Sequence, residues 1–72
     1  MFLDLDDNKL KIIDDGGLLK PSDIFQLKHW GFQKNENTYL AEDYDLIKII
    51  KFFEESFQGY SISTNVESLY NS

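Results

Sequence analysis

From Leu3 to Ile12, apolar and charged residues alternate on either side of Asp7-Asn8. This is the period of a half-buried β-hairpin. A two-residue turn at Asp7-Asn8 sets Asp6 opposite Lys9, Leu5 opposite Leu10, Asp4 opposite Lys11 and Leu3 opposite Ile12. Apolar pairs then share one face and opposite charges share the other, the arrangement that cross-strand energetics favour. Phe2 and Ile13 fall on the charged face, where another element is expected to cover them.

Asp14-Asp15-Gly16-Gly17 reads as a loop of turn formers followed by two residues free to take positive φ. Pro21 suits the first turn of a helix, and Ser22 and Asp23 suit its electropositive end. The first helix is expected from about Pro21 to Trp30, with Ile24, Leu27 and Trp30 on its buried face. Phe25 and His29, four residues apart, share another face. Gly31 fits the position after a helix where left-handed backbone is needed, and Phe32 is then placed to touch Leu27 in a Schellman stop.

A second hairpin joins Phe32-Gln33-Lys34 to Thr38-Tyr39-Leu40. A three-residue loop, Asn35-Glu36-Asn37, sets Phe32 opposite Leu40 on the core face and makes Asn37 the residue with positive φ. Asp43 or a neighbour caps a second helix over about Tyr44 to Gln58. Leu46, Ile49, Ile50, Phe53 and Phe57 form its apolar stripe, and Gly59 ends it. Tyr60 to Ser63 reads as a short strand. Thr64 and Glu67 have capping-box spacing, so residues 65–72 form a short helix or a linker towards a further domain. The expected fold is α+β in the order ββ-α-ββ-α-β: one domain over residues 1–64, a small mixed sheet of about five short strands with two helices on one face.

Composition sharpens this in three ways. The chain has 72 residues, 42% hydrophobic and 15% aromatic, enough for a packed core in a domain that has no cysteine to staple it. No apolar run exceeds three residues, and Asp4, Asp6 and Asp7 stand where a signal peptide carries basic residues. A cytoplasmic protein with no membrane partner is expected. The net charge is −6, and all seven basic residues are Lys, scattered along the chain. A free-standing nucleic-acid binder ordinarily shows a basic face. This balance suits a solvated acidic surface, or one that docks on a basic protein.

Candidate chemistry is sparse, and no cofactor is implied. Asp4, Asp6, Asn8 and Asp15 approach the spacing of a calcium loop, but its sixth position, which must be Gly, is Lys9. His29 has no Cys and no second His to share a zinc ion. Gly16-Gly17 leads to Lys20-Pro21 without the G-K-[ST] ending of a phosphate loop. No serine stands in a nucleophile elbow. The residues singled out for contact with a partner or nucleic acid are Phe25, His29, Lys48 and Phe52. Phe52 lies off the apolar stripe beside Lys48, and an aromatic next to a lysine can stack on a base or fill a partner's pocket. The alternative is that Phe25 and Phe52 meet between the two helices as core.

The run Leu27-Lys28-His29-Trp30-Gly31-Phe32, then Asn37-Thr38-Tyr39-Leu40, then Leu46-Ile47 through Phe53, resembles a short N-terminal domain found ahead of the ATPase core in some bacterial and phage superfamily 2 helicase-like proteins. Those domains share a leucine helix ending in W/L-G-F, a hairpin strand with an aromatic, and an amphipathic helix. The similarity spans about residues 22–63. It implies a non-catalytic accessory domain that aids substrate engagement or packs on the motor, whose motifs lie downstream. It implies no catalytic residue in this chain. The partners are then the downstream domains of the same polypeptide and, through them, nucleic acid. The second expectation is a free-standing acidic interaction module or effector that binds a basic protein. A small enzyme is the third.

Overall fold

The computed structural model describes residues 1–58 and 62–66. Strands β1 (Phe2–Asp6) and β2 (Lys9–Ile13) form the hairpin in the register that alternation predicts, from Asp6 opposite Lys9 to Leu3 opposite Ile12. Asp7 takes the left-handed turn conformation, φ 52°. Beyond the hairpin lie β3 (Gln33–Asn35), β4 (Thr38–Ala41) and β5 (Ser63–Thr64). The sheet order is β3-β4-β2-β1-β5, antiparallel except where β5 runs parallel to β1. Leu3, Leu10, Ile12, Tyr39 and Ala41 are buried on one face with Leu27, Ile49 and Phe53 of the helices. Both helices therefore cover that face, and the fold is α+β in the expected order.

Helix α1 (Pro21–His29) starts at Lys20, whose N–H donates to the Asp23 carboxylate at 2.9 Å. Lysine has no acceptor to return, so only that half of a capping box forms. Before it, the Asp14 carboxylate accepts from the N–H groups of Leu18 (2.8 Å) and Leu19 (2.9 Å), which fixes the glycine loop. At the other end the Schellman stop is complete. Phe32 N–H donates to Leu27 C=O at 3.0 Å and Gly31 N–H to Lys28 C=O at 3.1 Å. Gly31 has φ 95°, and Leu27 and Phe32 are both buried.

The second hairpin differs from expectation. Gln33 pairs with Leu40, Lys34 with Tyr39 and Asn35 with Thr38, so the loop has two residues, and Glu36 rather than Asn37 has positive φ (57°). This register puts the Tyr39 ring in the core instead of Leu40, and it brings Phe32 beside the small Ala41. Two contacts favour it, one across the hairpin and one from the end of β2. Lys34 Nζ lies 5.9 Å from the centre of the Tyr39 ring, and Asp14 N–H donates to Asn37 C=O at 2.8 Å.

Helix α2 (Leu46–Ser56) is shorter than its pattern suggests, because Asp45, not Asp43, is its cap and accepts from Lys48 N–H at 3.3 Å. Ile49, Phe53 and Phe57 of the stripe are buried. The expected Gly59 stop, residues 60 and 61 of the expected strand, and residues 67–72 of the expected helix or linker lie outside the described residues. Thr64 lies in β5, and its hydroxyl accepts from Val66 N–H at 3.0 Å; its expected capping-box partner, Glu67, lies outside the described residues.

Asn65 completes the sheet edge. Its Oδ1 accepts from Leu5 N–H at 2.8 Å, and its Nδ2 donates to Leu5 C=O (3.0 Å) and to Asp4 Oδ1 (2.9 Å). A side-chain amide thus stands in for a peptide group where β5 runs out. Val66 beyond it is buried.

Candidate functional site

Helix periodicity places Lys48, Lys51, Phe52 and Glu55 of α2 on one side, at i, i+3, i+4 and i+7. That side faces Ser22, Asp23, Gln26 and Trp30 of α1 and its cap across a groove of about 450 Å³. The floor is aromatic. Trp30 and Phe52 meet edge to face with centroids 5.5 Å apart, and Phe52 continues into Phe53 (5.3 Å) and Phe57 (6.1 Å). Phe53 and Phe57 stack at 5.5 Å. Two ammonium groups and two carboxylates stand around this floor, so the groove suits an apolar side chain flanked by polar groups of either sign.

The four residues singled out by sequence do not converge. Lys48 and Phe52 line the groove. Phe52 is half-buried under Trp30 rather than exposed beside Lys48, so it does pack between the helices. Its partner there is Trp30, not Phe25. Trp30 in turn is half-buried, where the sequence pattern made it a core residue. Phe25 is 74% exposed and is not part of the groove lining. His29 is exposed at a second recess of about 500 Å³, at the end of the sheet with Trp30, Gln33, Leu40, Glu42 and Asp43. Among the described residues no group of three His, Cys, Asp or Glu side chains is placed to hold a metal ion. No helix among them is long and apolar enough to cross a membrane.

Sequence reasoning missed Lys51, Glu55 and Trp30 as groove residues. The signal was present: the spacing that defines the apolar stripe of α2 also defines the stripe 48-51-52-55 beside it. Among the described residues, one titratable group is displaced from its ordinary range. Burial raises the Tyr39 phenol, and the nearby Asp14 carboxylate raises it further. Tyr39 sits in the core and does not line either recess.

No family model matches this chain, and no curated protein or solved structure is similar to it. The groove and the exposed Phe25 therefore rest on their own geometry.

Proposed function

We propose that this chain is a non-catalytic accessory module that docks on a basic protein surface through its helical layer, with Phe25 as the anchor. The observation that carries this reading is the 74% exposure of Phe25. Burying a phenyl ring is worth about 1.5–3 kcal/mol. This domain leaves that unused on an exposed side of α1. Large aromatics seated in a partner's pocket supply much of the energy at protein interfaces. The net charge of −6 supports a basic partner, through attraction at long range. In the setting that the resemblance to helicase-like proteins implies, the surface belongs to an ATPase motor downstream in the same cytoplasmic polypeptide.

Direct stacking on nucleic acid is the weaker reading of the same groove. Phe52 is already packed against three rings, and base stacking needs a free ring face.

The test uses the segment that the same reading frame encodes downstream, produced as a separate chain and titrated against this domain. Phe25→Ala is expected to weaken binding at least tenfold, since truncating an anchor costs about 2 kcal/mol or more. The melting temperature should barely move, because Phe25 is exposed. Phe52→Ala should instead lower the melting temperature. Equal binding by Phe25→Ala and the wild type refutes the anchor. A downstream segment without a G-K-[ST] phosphate loop refutes the motor setting. Quenching of Trp30 by oligo(dT) at low salt replaces docking with nucleic-acid contact.

A further inference from the structure

The sheet face turned away from the helices has no cover among the described residues. Its rows follow from the register. Phe2, Ile13 and Thr38 form one, Asp4, Lys11 and Leu40 the next, Asp6 and Lys9 the third. Phe2 keeps 39% of its surface exposed, and Ile13 and Leu40 are only half-buried. A solvated antiparallel face is ordinarily polar throughout; this one is apolar at the end where the hairpin opens.

Its cross-strand charges are also not paired with each other. Asp4 faces Lys11 and Asp6 faces Lys9 across the strands, yet neither pair closes as an ion pair. Lys9 reaches Glu42 instead, at 3.8 Å with both side chains more than half exposed. Lys11 and Asp6 have no ion-pair partner among the described residues.

The pattern is self-complementary. Consider a two-fold axis parallel to the strands, between the faces of two copies and midway between β1 and β2. Rotation about it lays β1 of the second copy over β2 of the first and preserves height along the strands. Because Phe2 is level with Ile13, Asp4 with Lys11 and Asp6 with Lys9, each residue of a pair lands on the other member's counterpart. Phe2 meets Ile13, Asp4 meets Lys11 and Asp6 meets Lys9, twice over. Aligned sheets cross at about 30°, and the match is best near the axis, where these central strands lie.

We infer that the open sheet face binds a second copy of this chain, in a face-to-face dimer with the helices outside. The five strands hold 19 residues, each covering about 4.8 by 3.4 Å, which gives a face of roughly 300 Å². Two such faces bury roughly 600 Å², below the ~1,200 Å² of a stable interface. The dimer is therefore weak, with a dissociation constant on the order of 100 µM.

The test is sedimentation equilibrium from about 10 µM to about 1 mM, a range that brackets this constant. It is paired with amide chemical shifts across the same dilution. Shifts should move at Phe2, Asp4, Lys11, Ile13 and Leu40 and stay fixed along the helical groove. The double variants Asp4→Lys/Asp6→Lys and Lys9→Glu/Lys11→Glu should each be monomeric alone and form a heterodimer when mixed, tighter than the wild-type dimer. Asp4 also accepts a hydrogen bond from Asn65, so Phe2→Ser serves as a variant on an exposed side chain. With circular dichroism unchanged, it should cut association at least tenfold. A wild-type chain that stays monomeric at the highest concentration overturns the inference and leaves the face to a different protein. So does self-association that either charge variant leaves intact, or a dimer whose shifts map to the helices.

Discussion

Replacing Asn65 tests whether a side chain holds the edge of β1. Asn65→Ala removes three hydrogen bonds of 2.8, 3.0 and 2.9 Å and frees Leu5 N–H and C=O at the end of β5. Each is worth about 0.5–1.5 kcal/mol net. Asn65 is exposed, so water takes over part of each bond and the lower half of that range applies. The expected loss is about 1.5–3 kcal/mol, from a total of roughly 4–10 kcal/mol for a chain of 72 residues. Asn65→Asp is the sharper variant. It keeps an acceptor for Leu5 N–H but turns the donor into an oxygen facing Leu5 C=O and Asp4 Oδ1. At neutral pH it should therefore cost more than alanine. The two facing carboxyls hold protons more tightly folded than unfolded. Their penalty is absent at low pH, where a carboxyl again donates, and grows as pH rises through the carboxylate range. Urea unfolding followed by Trp30 fluorescence reads this directly, because Trp30 reports its packing on Phe52. With a slope of about 1 kcal/mol/M for so small a chain, alanine should lower the midpoint by about 2 M. Loss of under 0.5 kcal/mol for alanine, or an aspartate variant no worse than alanine at pH 7, would show that the amide is not part of the sheet.

Two further outcomes follow from single residues. Gly31→Ala should cost about 1–2 kcal/mol, as φ 95° is left-handed; the nearest atom to an added Cβ, Asp43 C=O, is 3.7 Å away, so the cost is conformational rather than steric, and a synthetic chain with D-alanine there should be at least as stable as the wild type by urea midpoint. The raised Tyr39 phenol means that its protonated form is favoured by folding. That contribution is whole below about pH 10, the ordinary tyrosine value, and is lost as pH rises through the higher folded value. Tyr39→Phe should flatten this alkaline loss, and Asp14→Asn should move the ultraviolet titration of Tyr39 downwards; an unchanged alkaline profile in Tyr39→Phe contradicts the assignment.

What the sequence made legible was local. The β1–β2 register follows from a period of two with matched charges. The stop at Gly31 follows from one glycine and its flanking Leu27 and Phe32, and the buried side of α2 from five apolar positions. The β3–β4 register was not legible, because pattern alone favours the three-residue loop that sets Phe32 opposite Leu40, and the observed register buries Tyr39 instead. The choice fell to Lys34 over the Tyr39 ring and to Asp14 bonding Asn37, contacts that cross elements. Asn65 was invisible for the same reason: nothing in its neighbourhood signals a carboxamide aimed at a residue 60 positions away. At the candidate site, Phe52 and Lys48 could be placed by helical spacing. Whether Phe52 met Phe25 or Trp30 depended on how α1 is rotated against α2, which no periodicity within one helix specifies.

The pairing of β1 with β5 has a kinetic consequence. A hairpin of neighbouring strands closes in about 1–10 µs, so β1 and β2 can join early. The outer edge of β1 must wait for residues 63–66, and contacts that close so long a loop come late and slowly. In that interval β1 is an open edge, able to pair with the same strand of another unfolded chain. A bond formed after the transition state slows unfolding without speeding folding. Asn65 is therefore the lock on a door already shut. Its loss should appear in the unfolding limb of the chevron, with the folding limb unchanged.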